Sequence, residues 1–250
     1  MAFKLEWDKS GERFYETGVD RGVLYPTEVT DQTGDNAGHA YNGGVEWNGL
    51  TSVTESPSGA EANDIYADNM LYASLRSAEK FGGTIEAYMY PEAFAACNGE
   101  KSVSGVRGVY AGQQKRSRFG FSYRSDVGND QDGDVDTENG YKIHMWYNCT
   151  ASPSERQFQT INDSPEAITM SWEISTTPIK MSMTGFRPTA LVVVDTSKLI
   201  LDSTAQDNDI AKLAALENAL YGTSGSGGAD AYLPTPDQVY TIMGYTPPTP

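Results

Sequence analysis

Histidine is nearly missing from this chain: His39 and His144 are the only two. A Ser-His-Asp or Cys-His arrangement needs one of them, and neither sits in a nucleophile setting such as Gly-x-Ser-x-Gly. His39 falls in a polar stretch with no second histidine nearby, which makes a poor metal ligand. Cysteine is as scarce, with Cys97 and Cys149 alone. Two cysteines make no disulfide framework and read as reduced, partly buried thiols. Basic residues are outnumbered: 18 Lys and Arg stand against 34 Asp and Glu, a formal net charge of −16. Nucleic-acid binding needs basic clusters, so this balance argues against it. Long apolar runs are lacking as well. The longest, residues 190–194, is the length of one strand and far short of a membrane span. The N-terminal MAFKLEWDKSGERF has no apolar segment of the signal-peptide kind, so synthesis in the cytoplasm without a membrane anchor is expected. Phosphate-cradling loops are absent: residues 222–228 lack the lysine and the following helix of a P-loop.

What is present is aromatic and strand-like. Tyrosine alone numbers 15, and the hydrophobic fraction is 38%, enough for a core. Tyrosine suits half-buried strands and also protein–protein contacts. The 250 residues suit one large all-β domain or two small ones. Residues 3–7 and 19–25 read as short strands, with a polar loop over 8–18. Residues 31–44 are rich in Gly, Asn and Asp and read as an exposed loop or arm.

Residues 44–90 hold three extended candidates, over 45–53, 64–75 and 84–90. The middle one has a helix-like composition but no clean helical stripe, so it is assigned as a strand. Residues 91–97 read as one or two helical turns with Pro91 at the first helical position. Residues 103–110 read as a short extended segment.

Residues 118–125 and 141–150 are strong strands, joined through an acidic segment as an antiparallel hairpin. In the second, Tyr141, Ile143, Met145 and Tyr147 alternate with Lys142, His144, Trp146 and Asn148. A second strand pair is expected over 155–160 and 167–177, and a strand buried on both faces over 189–195. One long helix is expected over 209–221, capped near Asp209 and stopped by Gly222. Ile210, Leu213, Ala214, Glu217 and Leu220 follow helical spacing, and Leu216 widens the expected apolar face. Residues 223–250 form a connector, a short helix opened by a Thr235–Gln238 capping box, and an extended tail. The sum is a mainly β fold, a β-sandwich or partial β-barrel with one packed α-helix and extended loops and arms.

Two clusters invite a chemical reading. Lys115, Arg116 and Arg118 form the one basic group, beside Phe119, Phe121 and Tyr123. Three charges on an acidic chain are too few for a nucleic-acid surface; contact with acids on a neighbour, or with solvent, is expected. Residues 126–140 form an acidic hairpin tip in which Asp130, Asp132, Asp134 and Asp136 alternate. Oxygen-rich alternation of this kind suits Ca²⁺, and it carries the alternative reading of a calcium-dependent β-sandwich binding or adhesion module. The EF-hand pattern does not fit, because Val135 stands where the loop glycine belongs. A third reading, a hydrolase with a carboxylate pair, has no positive signal. No catalytic, cofactor-binding or metal residue is assigned.

The wording of the chain says more than its chemistry. KLEWDKSGERFYETGVDRGVLYP, GVEWNGLTSVTESPSGAEANDIYADN, FGGTIEAYMYPEAF, GQQKRSRFGFSYRSDVGND, YKIHMWYNCTASPSERQFQTINDSPEAITMSWEISTTP and ALENALYG with YLPTPDQV resemble, in the same order, the major tail proteins that build siphophage tail tubes. The resemblance implies a single tail-tube domain over residues 1–250. It implies six subunits paired edge to edge in a ring, rings stacked into a tube, and loops or arms bridging to the next ring. The implied partners are further copies of the chain, a tape measure protein, and tail terminator and baseplate or tail-tip proteins. Genomic DNA passes only in transit. The implied place is the virion tail, with no enzymatic activity. An acidic lumen would let DNA pass without sticking.

Overall fold

A computed structural model of the chain describes residues 7, 9–28, 40–59, 61–103, 106, 108–130, 139–158, 160, 167–225 and 228–246. In chain order the strands are β1 (Phe14–Glu28), β2 (Ala40–Tyr41), β3 (Val45–Glu46), β4 (Leu50–Glu55), β5 (Ala62–Ala67), β6 (Met70–Arg76) and β7 (Gly82–Ala87). There follow β8 (Lys101–Ser102), β9 (Tyr110–Ala111), β10 (Phe119–Asn129), β11 (Tyr141–Ala151), β12 (Met170–Thr176) and β13 (Leu191–Asp195). The helices are α1 (Ile210–Tyr221) and α2 (Pro236–Ile242). The fold is mainly antiparallel β with a packed helix, as the alternating aromatic and β-branched runs lead one to expect.

The large sheet runs β2-β1-β10-β11-β12-β7-β4, with β3 on β1 and β13 on β11. Because β3 immediately precedes β4, its pairing with Val23 and Leu24 of β1 brings the two ends of this order together. The Trp47 amide adds to the closure by donating to the Gly22 carbonyl at 2.8 Å. The result is a partial barrel.

One strand divides the sheet. Lys142 to Trp146 of β11 pair with β13, and Cys149 to Ala151 pair with β12. Asn148 sits between the two stretches with φ of +53°, a conformation that asparagine tolerates better than most residues. Its backbone amide donates to the Tyr41 hydroxyl at 2.9 Å, and its side chain bonds Arg118 and the Thr177 carbonyl. The polar side chain thus satisfies the groups that the break in pairing exposes.

Both faces of β11 are buried. Ile143, Met145 and Tyr147 face Leu213, Leu216 and Leu220 of α1 and Val239 of α2. Trp146 belongs to the other core, with Trp47, Phe94, Phe119, Phe121 and Trp172. Of the expected polar face, His144, Trp146 and Asn148 are therefore buried, and only Lys142, bonded to Glu16, keeps contact with water.

Several expectations are corrected here. Residues 14–18 are part of β1, not loop. The strand expected over 45–53 is broken by Gly49, at φ +76°, into β3 and β4. The one expected over 64–75 is a hairpin of two strands. Residues 155–158 form no strand, and β12 pairs with β11 and β7 instead. β13 is not buried on both faces, since Val193 is exposed. In α1, Leu213, Leu216, Ala219 and Leu220 face the core while Ile210 and Ala214 do not. Pro91 precedes the helical turn at Glu92–Phe94 rather than opening it. Of the segment 31–44, residues 31–39 lie outside the described residues, His39 among them. Tyr41 is core, and Gly44 is bonded to Ala231, so that end is no free arm. The Thr235–Gln238 capping box forms as expected, with Pro236 in the first turn.

Candidate functional site

The chain leaves the barrel at the end of β4 and returns at β7. Between these points its two halves stay paired as a ribbon. Glu55 faces Gly83, Ser58 bridges Lys80, the Ser77 amide donates to the Glu61 carbonyl, and β5 pairs with β6 out to Ala67 and Met70. From Glu55 to Ala67 this is about 40 Å of extended chain. Asp68 and Asn69 both have positive φ, 51° and 62°, the conformation of a type I′ hairpin turn. This dipeptide is the local signal that sequence reasoning passed over. A bulge at Tyr72, on the strand that follows the turn, offsets the pairing between Ile65 and Tyr66.

The outer part of the ribbon is apolar and bare. Tyr72 is 75% exposed, Tyr66 69% and Met70 65%, and Ile65, Leu71 and Leu75 are exposed beside them. β5 and β6 form a sheet of their own and do not join the large one. A two-stranded ribbon without a packing face is marginal in water, and its two open edges are templates for further pairing. An apolar surface of this kind marks an interaction site.

The root of the ribbon is built differently. Glu55 Oε1 accepts from Tyr123 Oη at 2.9 Å and from Trp146 Nε1 at 3.2 Å, and lies 3.1 Å from His144 Nδ1. In the sheet order, β12 and β7 stand between β4 and β11, so this carboxylate spans the barrel mouth rather than a neighbouring pair of strands. The His144 ring stacks on Tyr123 at 4.5 Å. The other ring nitrogen, Nε2, lies 3.0 Å from the Ser125 hydroxyl, within hydrogen-bond reach. Gly83, opposite Glu55, leaves room for the indole: a Cβ there would meet Trp146 Cη2 at 2.5 Å. On the return strand the Phe81 ring packs edge-on against Trp146, and its carbonyl accepts from Thr176.

Burial works to raise the Glu55 pKa, but the hydrogen bonds from His144, Tyr123 and Trp146 outweigh it and hold the carboxyl below its ordinary 4.5. The unfolded chain then takes up its proton first as pH falls, so the stabilisation is complete above pH 4.5 and is lost as pH drops through the depressed folded value. Urea midpoints measured from pH 6 down to pH 3 are expected to fall less steeply in Glu55→Gln than in the parent. Burial, followed by the Glu55 charge, pushes the Tyr123 phenol well above its usual range.

Hydroxyl, imidazole and carboxylate in this order are what an acyl-transfer nucleophile, its base and the orienting group require. Access is against that use. Ser125 and His144 are each only 8% exposed. A cavity of about 590 Å³ beside Lys142 and Asp195, and one of about 310 Å³ beside Glu92 and Glu100, are lined by neither. We read the trio as a relay of hydrogen bonds tying β4 to β10 and β11. Sequence reasoning missed Glu55 and Ser125 because nothing local marks them; only the strand order brings positions 55, 125 and 144 together.

Of the basic cluster, Lys115 and Arg118 are exposed and Arg116 is half-buried. Arg116 donates to the Cys97 and Ala151 carbonyls, Arg118 donates to Asn148, and Lys115 alone of the three makes no such bond and is exposed. Of the acidic tip, Asp132, Asp134 and Asp136 lie outside the described residues. Asp130 accepts from the Gly11 amide and faces Arg13, and Asp126 lies within β10 beside Arg124. Cys97 and Cys149 are buried free thiols, and burial pushes the Cys97 pKa up to about 12. Among the described residues, no group of three or more His, Cys, Asp and Glu is placed to hold a metal, and no helix is long and apolar enough to cross a membrane.

No protein-family model matches this chain, and no curated protein matches it.

Proposed function

We propose that this chain is the structural subunit of a bacteriophage non-contractile tail tube. In this reading it assembles with itself into hexameric rings that stack into a tube. The lumen holds a tape measure protein and conducts DNA, and the ends meet terminator and baseplate or tail-tip proteins. The observation that carries the reading is the ribbon. A long, paired, apolar extension that stands exposed among the described residues is what a subunit needs to grip another copy. The resemblance of the sequence to siphophage major tail proteins names the assembly, and the net charge of −16 suits a channel that must not hold phosphates.

The purified full chain, followed by light scattering and negative-stain microscopy as its concentration rises, is expected to give rings or hollow tubes. A strictly monomeric species at high concentration would overturn the proposal. A structural role also predicts that a fluorophosphonate probe leaves Ser125 unmodified. Labelling that disappears in Ser125→Ala would assign a nucleophile and a different function.

A further inference from the structure

We infer that Glu55 is the latch that sets the direction of the ribbon relative to the barrel. The ribbon departs at this residue, which ends β4. Its carboxylate is gripped from across the mouth by three side chains that do not move easily. Trp146 is fully buried, Tyr123 is 6% exposed and His144 8%. The His144 ring is held in turn by Ser125 and by stacking on Tyr123. The return strand has its own fixed point in Phe81, against Trp146 and Thr176.

Past these two points the ribbon's described backbone bonds join only its own two strands, as at Ser56–Gly82 and Ser58–Lys80. The backbone ladder at Glu55–Gly83 and Gly82–Ser175 joins the ribbon to the sheet; of the side-chain contacts at that root, Phe81 alone gives one fixed point, and Glu55 adds a second that defines the ribbon's direction. Glu55 is thus a positioning residue for the ribbon, whatever surface the ribbon meets. The inference rests on the root geometry and does not require the tube reading.

Spin labels on Ser77→Cys, at the ribbon's return strand, and Asn218→Cys, on the exposed side of α1, report that direction as a distance distribution. Cys97 and Cys149 are buried and stay unlabelled. The experiment is run on dilute, monomeric full-length chain, so failure to form tubes leaves it intact. One narrow distribution is expected in the parent. Glu55→Ala is expected to broaden it at least twofold, while Ser52→Ala, which loses only a bond to Glu86, leaves it unchanged.

Far-UV circular dichroism establishes that each variant is folded. Should Glu55→Ala not fold, Glu55→Gln, which keeps the shape but loses the charge and weakens the three-donor site, is expected to broaden the distribution by a smaller amount. An unchanged width in a folded Glu55 variant, or a broad distribution already in the parent, would overturn the inference.

Discussion

Trp172→Ala is expected to lose about 4 kcal/mol of stability, the middle of the range for truncating a buried aromatic. Trp172 is fully buried on β12 and stands at the centre of the barrel core. Its ring meets Trp47 at 5.6 Å, Phe94 at 5.2 Å and Tyr90 at 5.7 Å, all edge-on or nearly so. Such pairs add to the burial itself, because the positive ring edge meets a negative ring face. Its Nε1 also donates to Asn98 Oδ1 at 3.2 Å. Truncation therefore opens a cavity, undoes three ring contacts and strands a buried amide. Urea unfolding followed by tryptophan fluorescence measures the loss. A drop below about 1 kcal/mol, no more than an average point substitution costs, would mean that the core closes over the gap and that this aromatic cluster is not the keystone of the barrel.

A double change on the ribbon, Leu71→Asp with Tyr72→Asp, is expected to abolish self-association while leaving the melting temperature nearly where it was. Both side chains are more than half exposed, so the monomer loses little when they change; such surface substitutions cost about 0.5 kcal/mol or less. In an assembly the account reverses. Each large apolar side chain buried at a contact contributes about 2 kcal/mol, and a carboxylate in its place must be desolvated. Repeated around a closed ring, a loss of that size per contact makes assembly fail outright rather than weaken. Sedimentation velocity of parent and variant at matched concentration decides it. Association that survives the double change would remove the ribbon from the contact surface.

Much of the barrel was legible along the chain, and for one reason. β10, β11, β12 and α1 each bury at least one face, so selection for the core leaves a period of two or of about 3.6 in the residues themselves. The capping box at Thr235 and the stop at Gly222 are legible because their chemistry is local. Errors gathered where burial does not follow the pattern. Residues 64–75 show no clean stripe because both strands of the hairpin are exposed, and only the Asp68–Asn69 turn betrays the fold. Residues 155–158 look extended but find no partner strand, since β12 is already paired on both sides, to β11 and to β7. The even-numbered side of β11 looked polar because it carries Lys142, His144 and Asn148, although His144 and Asn148 are buried by their neighbours.

By itself the sequence determined the class of fold, the positions of the long strands and of α1, the acidic balance, and the resemblance that suggests a tail tube. All of these are local or compositional. Only the tertiary structure decided that the chain between β4 and β7 pairs with itself as a ribbon, that the described side chains of its outer half are exposed, and that Glu55 meets Tyr123, His144 and Trp146 at its root. Those three lie 68, 89 and 91 positions away along the chain. No local periodicity can encode a contact made across the mouth of a barrel, because it depends on the order in which strands pair rather than on what stands next to what.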